Sequence, residues 1–283
     1  MKKITLLLLL FVLAQPAWAG NDNKRGLAGA SELLIFPFAR ENGWALSNVA
    51  GVRGPSSMFL NVAGLAHTRN THVELSYTSY LSGSDVGING VGVAQGVSES
   101  GTLGFSLMTV DMGDFIETTF SQPGGTGGTF NPQLFNFGMA YSQVFSDNIT
   151  GGVVVRVISQ SLPSVNAVGM AFDAGIQYTA GAKDQYKLGV TARNLGPKMN
   201  YNGDGLTQRG EVQNQTFSRT LGLRSEAFDI PSLLSIGGSY DFLFDASNRL
   251  TIAETFTSHS FTKDQFHTGL EYGYNDWVMA RAG

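Results

Sequence analysis

Histidine is the residue type in this chain that most often serves catalysis or metal binding, and its four copies match no known site. His67, His72, His259 and His267 have spacings that fit no metal-ligand pattern. There is no cysteine, which excludes disulfides and thiolate metal ligands. We find no convincing serine–histidine pair. The sequence therefore predicts a protein that is not an enzyme and holds neither cofactor nor metal.

Six charged residues at alternate positions of strand-like segments form the main candidate site. Their positions predict that they face the enclosed side of a sheet. One interpretation is an internal network of ion pairs that braces the wall, and this is the one we favour. The other is a polar lining, or a surface against which a plug docks. The six residues are Glu74, Arg156, Asp173, Lys187, Arg193 and Glu271.

The composition restricts the class of protein that can carry this lining. Charged residues make up 14% of the chain, against roughly 25% in soluble domains, while 36 residues are glycine and 11% are aromatic. Residues 1–19 combine two lysines, an apolar run and Ala17-Trp18-Ala19, which predicts a secretory signal peptide. No later stretch approaches 18 apolar residues. These features favour an outer-membrane β-barrel of a Gram-negative bacterium. A net charge of −4 gives no reason to expect nucleic-acid binding.

Alternation with a period of two residues continues through most of the chain after residue 70. In VGMAFDAGIQY (168–178), large apolar residues alternate with small or polar ones, such as Gly169, Asp173 and Gln177. This pattern is typical of barrel strands with lipid outside and a polar lumen. It predicts eleven strands, at 71–81, 86–97, 101–119, 133–145, 149–160, 167–179, 185–195, 232–244, 248–258, 265–274 and 277–283. The third strand is expected to kink at Gly113.

The predicted connections separate by length. Those at 98–100, 146–148, 180–184, 245–247 and 275–276 are short, and most of the alternate ones are longer. Outer-membrane barrels have short periplasmic turns and longer extracellular loops. The longest connection, 196–231, is therefore expected on the cell surface.

Two N-terminal stretches resemble a known family. Segment 29–51 begins GASELLIFPFAR, and segment 56–66 reads SSMFLNVAGLA. Together they are similar to the N-terminal signature of the PorV/PorQ proteins, outer-membrane barrels of the type IX secretion system with a FadL-like fold. The matching residues include Arg40, Asn61, Ala63 and Gly64.

A second match lies in the middle of the chain. Segment 193–206, RNLGPKMNYNGDGL, resembles a loop of the same family and favours the PorV-like branch; its matching residues are Asn194, Gly196, Pro197 and Lys198. Val62 and Leu60 depart from the family pattern, which usually has proline at the first position and often an aromatic residue at the second. Proline would stiffen this turn, so we expect a looser hatch here.

The resemblance implies a barrel of 14 strands when complete. Bacterial single-chain barrels have even strand numbers, and an open edge cannot lie in lipid. We therefore expect a signal peptide at 1–19, an N-terminal hatch or plug segment at 20–70, and a C-terminally truncated barrel at 71–283.

The implied function is non-enzymatic. By resemblance, the barrel would bind outer-membrane lipids, type IX translocon and attachment-complex proteins, and the C-terminal signal domains of exported cargo. The alternative is a FadL-type transporter of hydrophobic small molecules. Its ligand, a lipid or another hydrophobic molecule, would lie in a pocket lined by Phe36, Phe38, Trp44 and Phe59, with a lateral exit near Gly113.

Overall fold

The dominant element is one antiparallel sheet of eleven strands, which confirms the predicted all-β class. The computed structural model describes residues 24–81, 83–211, 218–275 and 277–283, so the predicted signal peptide lies outside the described residues. The sheet order is β1-β2-β3-β6-β7-β8-β9-β12-β13-β14-β15. Its strands are β1 (Thr71–Ser79), β2 (Gly87–Gly96), β3 (Gly101–Asp111), β6 (Gln133–Ser146), β7 (Ile149–Leu162), β8 (Val165–Ala180), β9 (Tyr186–Leu195), β12 (Leu233–Leu243), β13 (Asn248–His259), β14 (Gln265–Tyr274) and β15 (Val278–Ala282).

Two small hairpins lie in the connections between these strands. Strands β4 (Phe115–Ile116) and β5 (Thr129–Phe130) pair with each other after β3, and β10 (Thr207–Glu211) pairs with β11 (Ser218–Gly222) inside the longest connection. A short 3₁₀ turn, Asp204–Leu206, precedes β10.

Strand β3 is shorter than the sequence pattern predicts. It ends at Asp111, and Gly113 adopts a positive φ of 74° that favours glycine. The Gly113 N–H donates to Asp111 Oδ1 at 2.9 Å, which turns the chain out of the sheet. What the sequence presents as one kinked strand is therefore a strand, a turn and a separate small hairpin.

Most connections at one end of the sheet are longer than those at the other, as predicted. Those at one end of the sheet are 97–100, 147–148, 181–185, 244–247 and 275–277, and we call this the short-connection end. The opposite end carries 80–86, 112–132, 163–164, 196–232 and 260–264, and we call it the long-connection end. The 163–164 turn is shorter than expected because β7 and β8 extend toward each other.

The two faces of the sheet differ in chemistry. In β8, the side chains from Val168 to Tyr178 alternate between exposed apolar residues and buried small or polar ones, among them Asp173 and Gln177. About ten residues at ~3.3 Å each, tilted by about 40°, give an apolar band about 25 Å tall. That height matches the hydrophobic zone of an outer-membrane barrel.

The sheet is a partial barrel within the described residues. Strand β1 pairs only with β2, and β15 pairs only with β14. No helix in the described part of the chain is long and apolar enough to cross a membrane.

Residues 24–70 lie against the polar face of the sheet, and we call them the hatch. Their helical pieces are short: Ser31–Leu34, Ala39–Asn42, Pro55–Phe59 and Val62–His67. Phe38, Met58 and Leu65 of the hatch are buried against inward residues of the strands, such as Ile88 and Met108. The main core of the molecule thus lies between the hatch and the wall, which fixes the position of the site described next.

Candidate functional site

Two arginines of the wall hold the third helical piece of the hatch, Pro55–Phe59. The 3₁₀ turn Pro55–Phe59 ends with free carbonyl groups, as short helices do. Arg156 on β7 donates to the Met58 carbonyl, and Arg193 on β9 donates to the Phe59 carbonyl. The Arg156 guanidinium also lies 4.9 Å from the centre of the Phe59 ring. Charged donors therefore replace the hydrogen bonds that water would make to these carbonyls.

Other inward side chains contact the hatch backbone in the same way. Gln177 on β8 donates to the carbonyls of Val49 and Val52 at 3.2 and 3.1 Å. Glu74 on β1 accepts from the Ser56 N–H at 3.1 Å. Further contacts come from Thr102 to the Thr68 carbonyl at 2.9 Å and from Thr255 to the Ser47 carbonyl at 2.6 Å.

Asn61, the central residue of the N-terminal motif, links the hatch to itself and to the wall. Its side-chain oxygen accepts from the Ala63 N–H at 3.2 Å, and its amide donates to the carbonyls of Val49 (3.0 Å) and Ile176 (3.1 Å). Asn61 and Ala63 are fully buried. A Cβ on Gly64 would overlap the Val52 carbonyl, so only glycine fits there without a shift. The motif residues thus make one tight turn in the lumen.

The six charged candidates divide between ion pairs within the wall and contacts with the hatch backbone. Arg156 and Asp173 pair with each other, with Nε and Oδ2 2.7 Å apart and both side chains almost fully buried. Asp173 Oδ1 also accepts from the Asn194 N–H at 2.7 Å. Arg193 and Glu74 contact hatch backbone instead. The register between strands sets the position of each group along the barrel axis, and the sequence alone does not give this register.

The remaining two candidates pair with residues that the sequence reasoning missed. Lys187 Nζ lies 2.6 Å from Asp241 Oδ2 on β12. Glu271 accepts from Arg249 Nη2 at 3.1 Å and from Arg281 Nε at 2.6 Å. These partners lie at inward positions of neighbouring strands. Asp241 and Arg249 alternate with apolar residues in the sequence, and this pattern could have identified them as inward-facing.

A polar cavity of about 390 Å³ opens between the hatch and these strands near the short-connection end. Arg40, from the N-terminal motif, lines it and places its Nε 3.4 Å from an Oε1 of the neighbouring Glu41. The Glu41 side chain is fully buried. Burial raises the pKa of Glu41 to about 7, although Arg40 lowers it.

Three of the four aromatic residues expected to line a hydrophobic pocket pack on one another instead, and the fourth, Trp44, lines the polar cavity. Phe36, Phe38 and Phe59 make edge-to-face pairs with ring centres 6.1, 6.2 and 5.7 Å apart. Trp44 is 2% exposed and lies under the Arg281 guanidinium. These side chains fill space between hatch and wall.

The N-terminal end of the hatch reaches the long-connection end. There Gln160 on β7 donates to both carboxylate oxygens of Glu32, at 2.8 and 3.0 Å, and accepts from the Tyr201 hydroxyl at 2.5 Å. Tyr201 belongs to the connection 196–232, which we call the long loop. We expected the hatch inside the barrel or at its periplasmic mouth, and its first described residues lie at the long-connection end.

The residues of the mid-chain family motif lie where β9 meets the long loop. Asn194 has a positive φ of 58° and donates to the Pro231 carbonyl at 3.1 Å. Gly196 lies so close to the Met170 carbonyl that a Cβ would overlap it. Beyond Pro197, Lys198 pairs with Asp229 at 3.4 Å in an exposed position. These contacts join the two ends of the long loop.

His259 and His267 lie near each other on β13 and β14, while His67 belongs to the hatch. Burial and the charge of Arg53 lower the pKa of His67 to about 4, so it is neutral at pH 7. Among the described residues there is no group of three or more metal-ligating side chains.

Comparison with known proteins adds limited information. No family model matches the sequence, and no curated protein matches it. A FadL homologue of Pseudomonas aeruginosa has 12% identity and a TM-score of 0.44, over 82% of this chain and 75% of its own. The monoaromatic hydrocarbon channel TodX, as a deltaS2 mutant, has 11% identity and a TM-score of 0.39, over 84% and 91%.

Likenesses at these scores do not assign the chain to a family. The class of protein follows from the strands themselves: an antiparallel membrane β-barrel, partial in its described residues, with its own N-terminal segment against the inner face.

Proposed function

We propose that the protein is a non-enzymatic outer-membrane barrel of type IX protein secretion. In this role the long loop binds secretion partners or exported cargo at the cell surface. The sequence support is the N-terminal motif around Asn61 and the NLGPKM stretch, both similar to PorV/PorQ proteins.

The observation that carries the proposal is the way in which the hatch is held. Side chains from β1, β3, β7, β8, β9 and β13 donate to or accept from its backbone. Hydrogen bonds to buried backbone groups are costly to break without replacement. A segment fixed at so many points favours a closed lumen over a channel that opens for each passing solute.

If the lumen is closed, the protein functions through binding at its surface. The long loop is the largest connection in the described chain and carries its own hairpin, β10–β11. Binding residues are found disproportionately on loops that a rigid scaffold positions. Its exposed side chains include both apolar and charged residues, such as Leu221, Leu223 and Arg224, which suit protein docking.

The test is purification of the full-length protein from its native outer membrane in a mild detergent, followed by mass spectrometry of co-purifying proteins and lipids. We expect a large translocon barrel, or exported proteins that share a C-terminal domain. A matched variant replaces residues 200–227 with a short Gly-Ser linker and should lose these partners. A second variant, which shortens the 117–128 connection, should keep them.

The opposite result would favour the transporter. A stoichiometric fatty acid or hydrocarbon, with no protein partner in either the wild type or the second variant, would overturn the secretion role.

A further inference from the structure

The outer end of the hatch and the long loop are joined by their backbones. The Gly29 N–H donates to the Asp229 carbonyl at 3.0 Å, and Ala28 forms a parallel bridge with Asp229. The Phe228 ring lies directly on Gly29, where a Cβ would overlap it. Since Phe228 and Asp229 belong to the loop, the first described residues of the hatch are part of the same surface layer.

A chain of side-chain hydrogen bonds makes a second connection. Glu32 of the hatch is held by Gln160 of the wall, which in turn accepts from Tyr201 of the loop. The Tyr201 ring lies 5.5 Å from the Phe228 ring, so the two loop residues support each other. Moving either of them disturbs both connections to the hatch.

The third connection is a small apolar core, separate from the main one. Ala30 and Leu33 come from the hatch, Met199 and Ile230 from the loop, and the wall contributes Ile158, Ala167 and Ala171. Because loop and hatch share these contacts, neither can leave without exposing apolar surface of the other.

This outer hold differs from the hold in the middle of the lumen in that it includes residues of the loop. Glu32 is 4% exposed and accepts from Gln160 of the wall, which also accepts from Tyr201 of the loop. Met58 and Phe59 are held by guanidinium groups of β7 and β9, which belong to the wall.

We propose that hatch residues 28–33 and the long loop form a latch, so that displacing the loop frees the outer end of the hatch. Residues 49–66 stay held by the wall when this happens. The latch rests on the proposed function for its trigger, a partner that docks on the loop. Binding of a partner at the surface would then change the conformation of the hatch inside the barrel.

Hydrogen–deuterium exchange of the full-length protein in detergent tests the latch without any partner, so failure of the latch and failure of the docking role are distinguishable. The variants Phe228→Ala and Tyr201→Phe change only the loop. We expect exchange of residues 28–35 to rise by about fivefold or more, while residues 56–66 stay unchanged. Leu221→Ala, an exposed change in the same loop, should have no effect on either segment.

A second test adds the substitutions Ala28→Cys and Asp229→Cys to the Phe228→Ala variant. Since the chain has no cysteine of its own, the two introduced thiols can form a single disulfide between hatch and loop. Oxidation should restore slow exchange at residues 28–35, and reduction should abolish it. Unchanged exchange of this segment in both Phe228→Ala and Tyr201→Phe, with the barrel strands still protected, would overturn the latch.

Discussion

The side-chain amide of Asn61 donates to the backbone carbonyl of Ile176 at 3.1 Å, so a residue of the hatch bonds directly to the main chain of β8. Asn61 accepts from Ala63 in the same turn and donates to Val49 as well. One fully buried side chain thus satisfies three backbone groups. This arrangement explains why an amide, with both donors and an acceptor, stands at this position.

Replacing Asn61 with alanine should therefore destabilise the folded protein strongly. Val49, Ile176 and Ala63 would each lose a buried partner, and we expect the free energy of unfolding to fall by about 2–4 kcal/mol. Urea unfolding in lipid vesicles measures this. Asn89→Ala is the matched control, since Asn89 is exposed and its side-chain amide donates to the Thr109 hydroxyl at 3.3 Å. Equal losses for the two variants would contradict the role of Asn61.

Gly175 should resist substitution because it faces the same residue. A Cβ there would overlap Asn61 Oδ1 and lie 3.1 Å from its Cγ. Gly175→Ala should cost about 1–3 kcal/mol of unfolding free energy by overpacking. At Gly238 the nearest atom to a new Cβ is Leu188 Cδ2 at 3.4 Å, so Gly238→Ala should be neutral or slightly stabilising. A tolerated Gly175→Ala would show that Asn61 is not tightly placed.

The buried pair Arg156–Asp173 should behave very differently from an exposed pair. Removing either partner leaves an uncompensated buried charge, which costs about 3–5 kcal/mol. We expect a double-mutant cycle with Arg156→Met and Asp173→Ala to show strong coupling. Lys198 and Asp229 are 59% and 40% exposed and 3.4 Å apart. A double-mutant cycle of Lys198 and Asp229 should give a coupling energy of less than about 1 kcal/mol. Similar coupling energies in the two cycles would contradict the prediction that the buried pair is the stronger one.

Glu41 should make the stability depend on pH. Its folded-state pKa of about 7 lies above its ordinary value of 4.5, so the folded state binds the proton more tightly than the unfolded state. The stabilisation is fully present below pH 4.5 and is lost as the pH rises through 7. Glu41→Gln should flatten the unfolding free energy between pH 4.5 and 8. Glu226→Gln, an exposed change, should keep the wild-type slope.

Much of the sheet could be predicted because its signal is local. Alternating residues such as Met170, Asp173 and Ile176 report the two faces directly, and the eleven predicted strands correspond to the eleven strands of the sheet. The exception was β3, where Asp111 and Gly113 form a turn. A glycine in a strand pattern marks either a bend or a stop, and the pattern alone does not distinguish them.

The partners inside the lumen could not be predicted because they depend on how the hatch lies across the strands. Arg193 bonds a hatch carbonyl, while Lys187, six residues before it, pairs with Asp241. The spacing of these residues in the sequence does not predict which of them contacts the hatch and which pairs with a neighbouring strand. The contact of Glu32 with Gln160 spans 128 positions along the chain, and the hatch has no regular period from which its direction could be inferred.

Single-channel conductance in planar lipid bilayers tests the central claim, that the hatch closes the lumen, most directly. The full-length protein should be almost silent, and deletion of residues 29–66 should produce a large, stable conductance. Arg156→Met combined with Arg193→Met, which keeps the chain length, should give intermediate, flickering openings. Protection of the barrel strands from exchange would serve as the check of folding. A folded deletion variant with no rise in conductance would contradict the account.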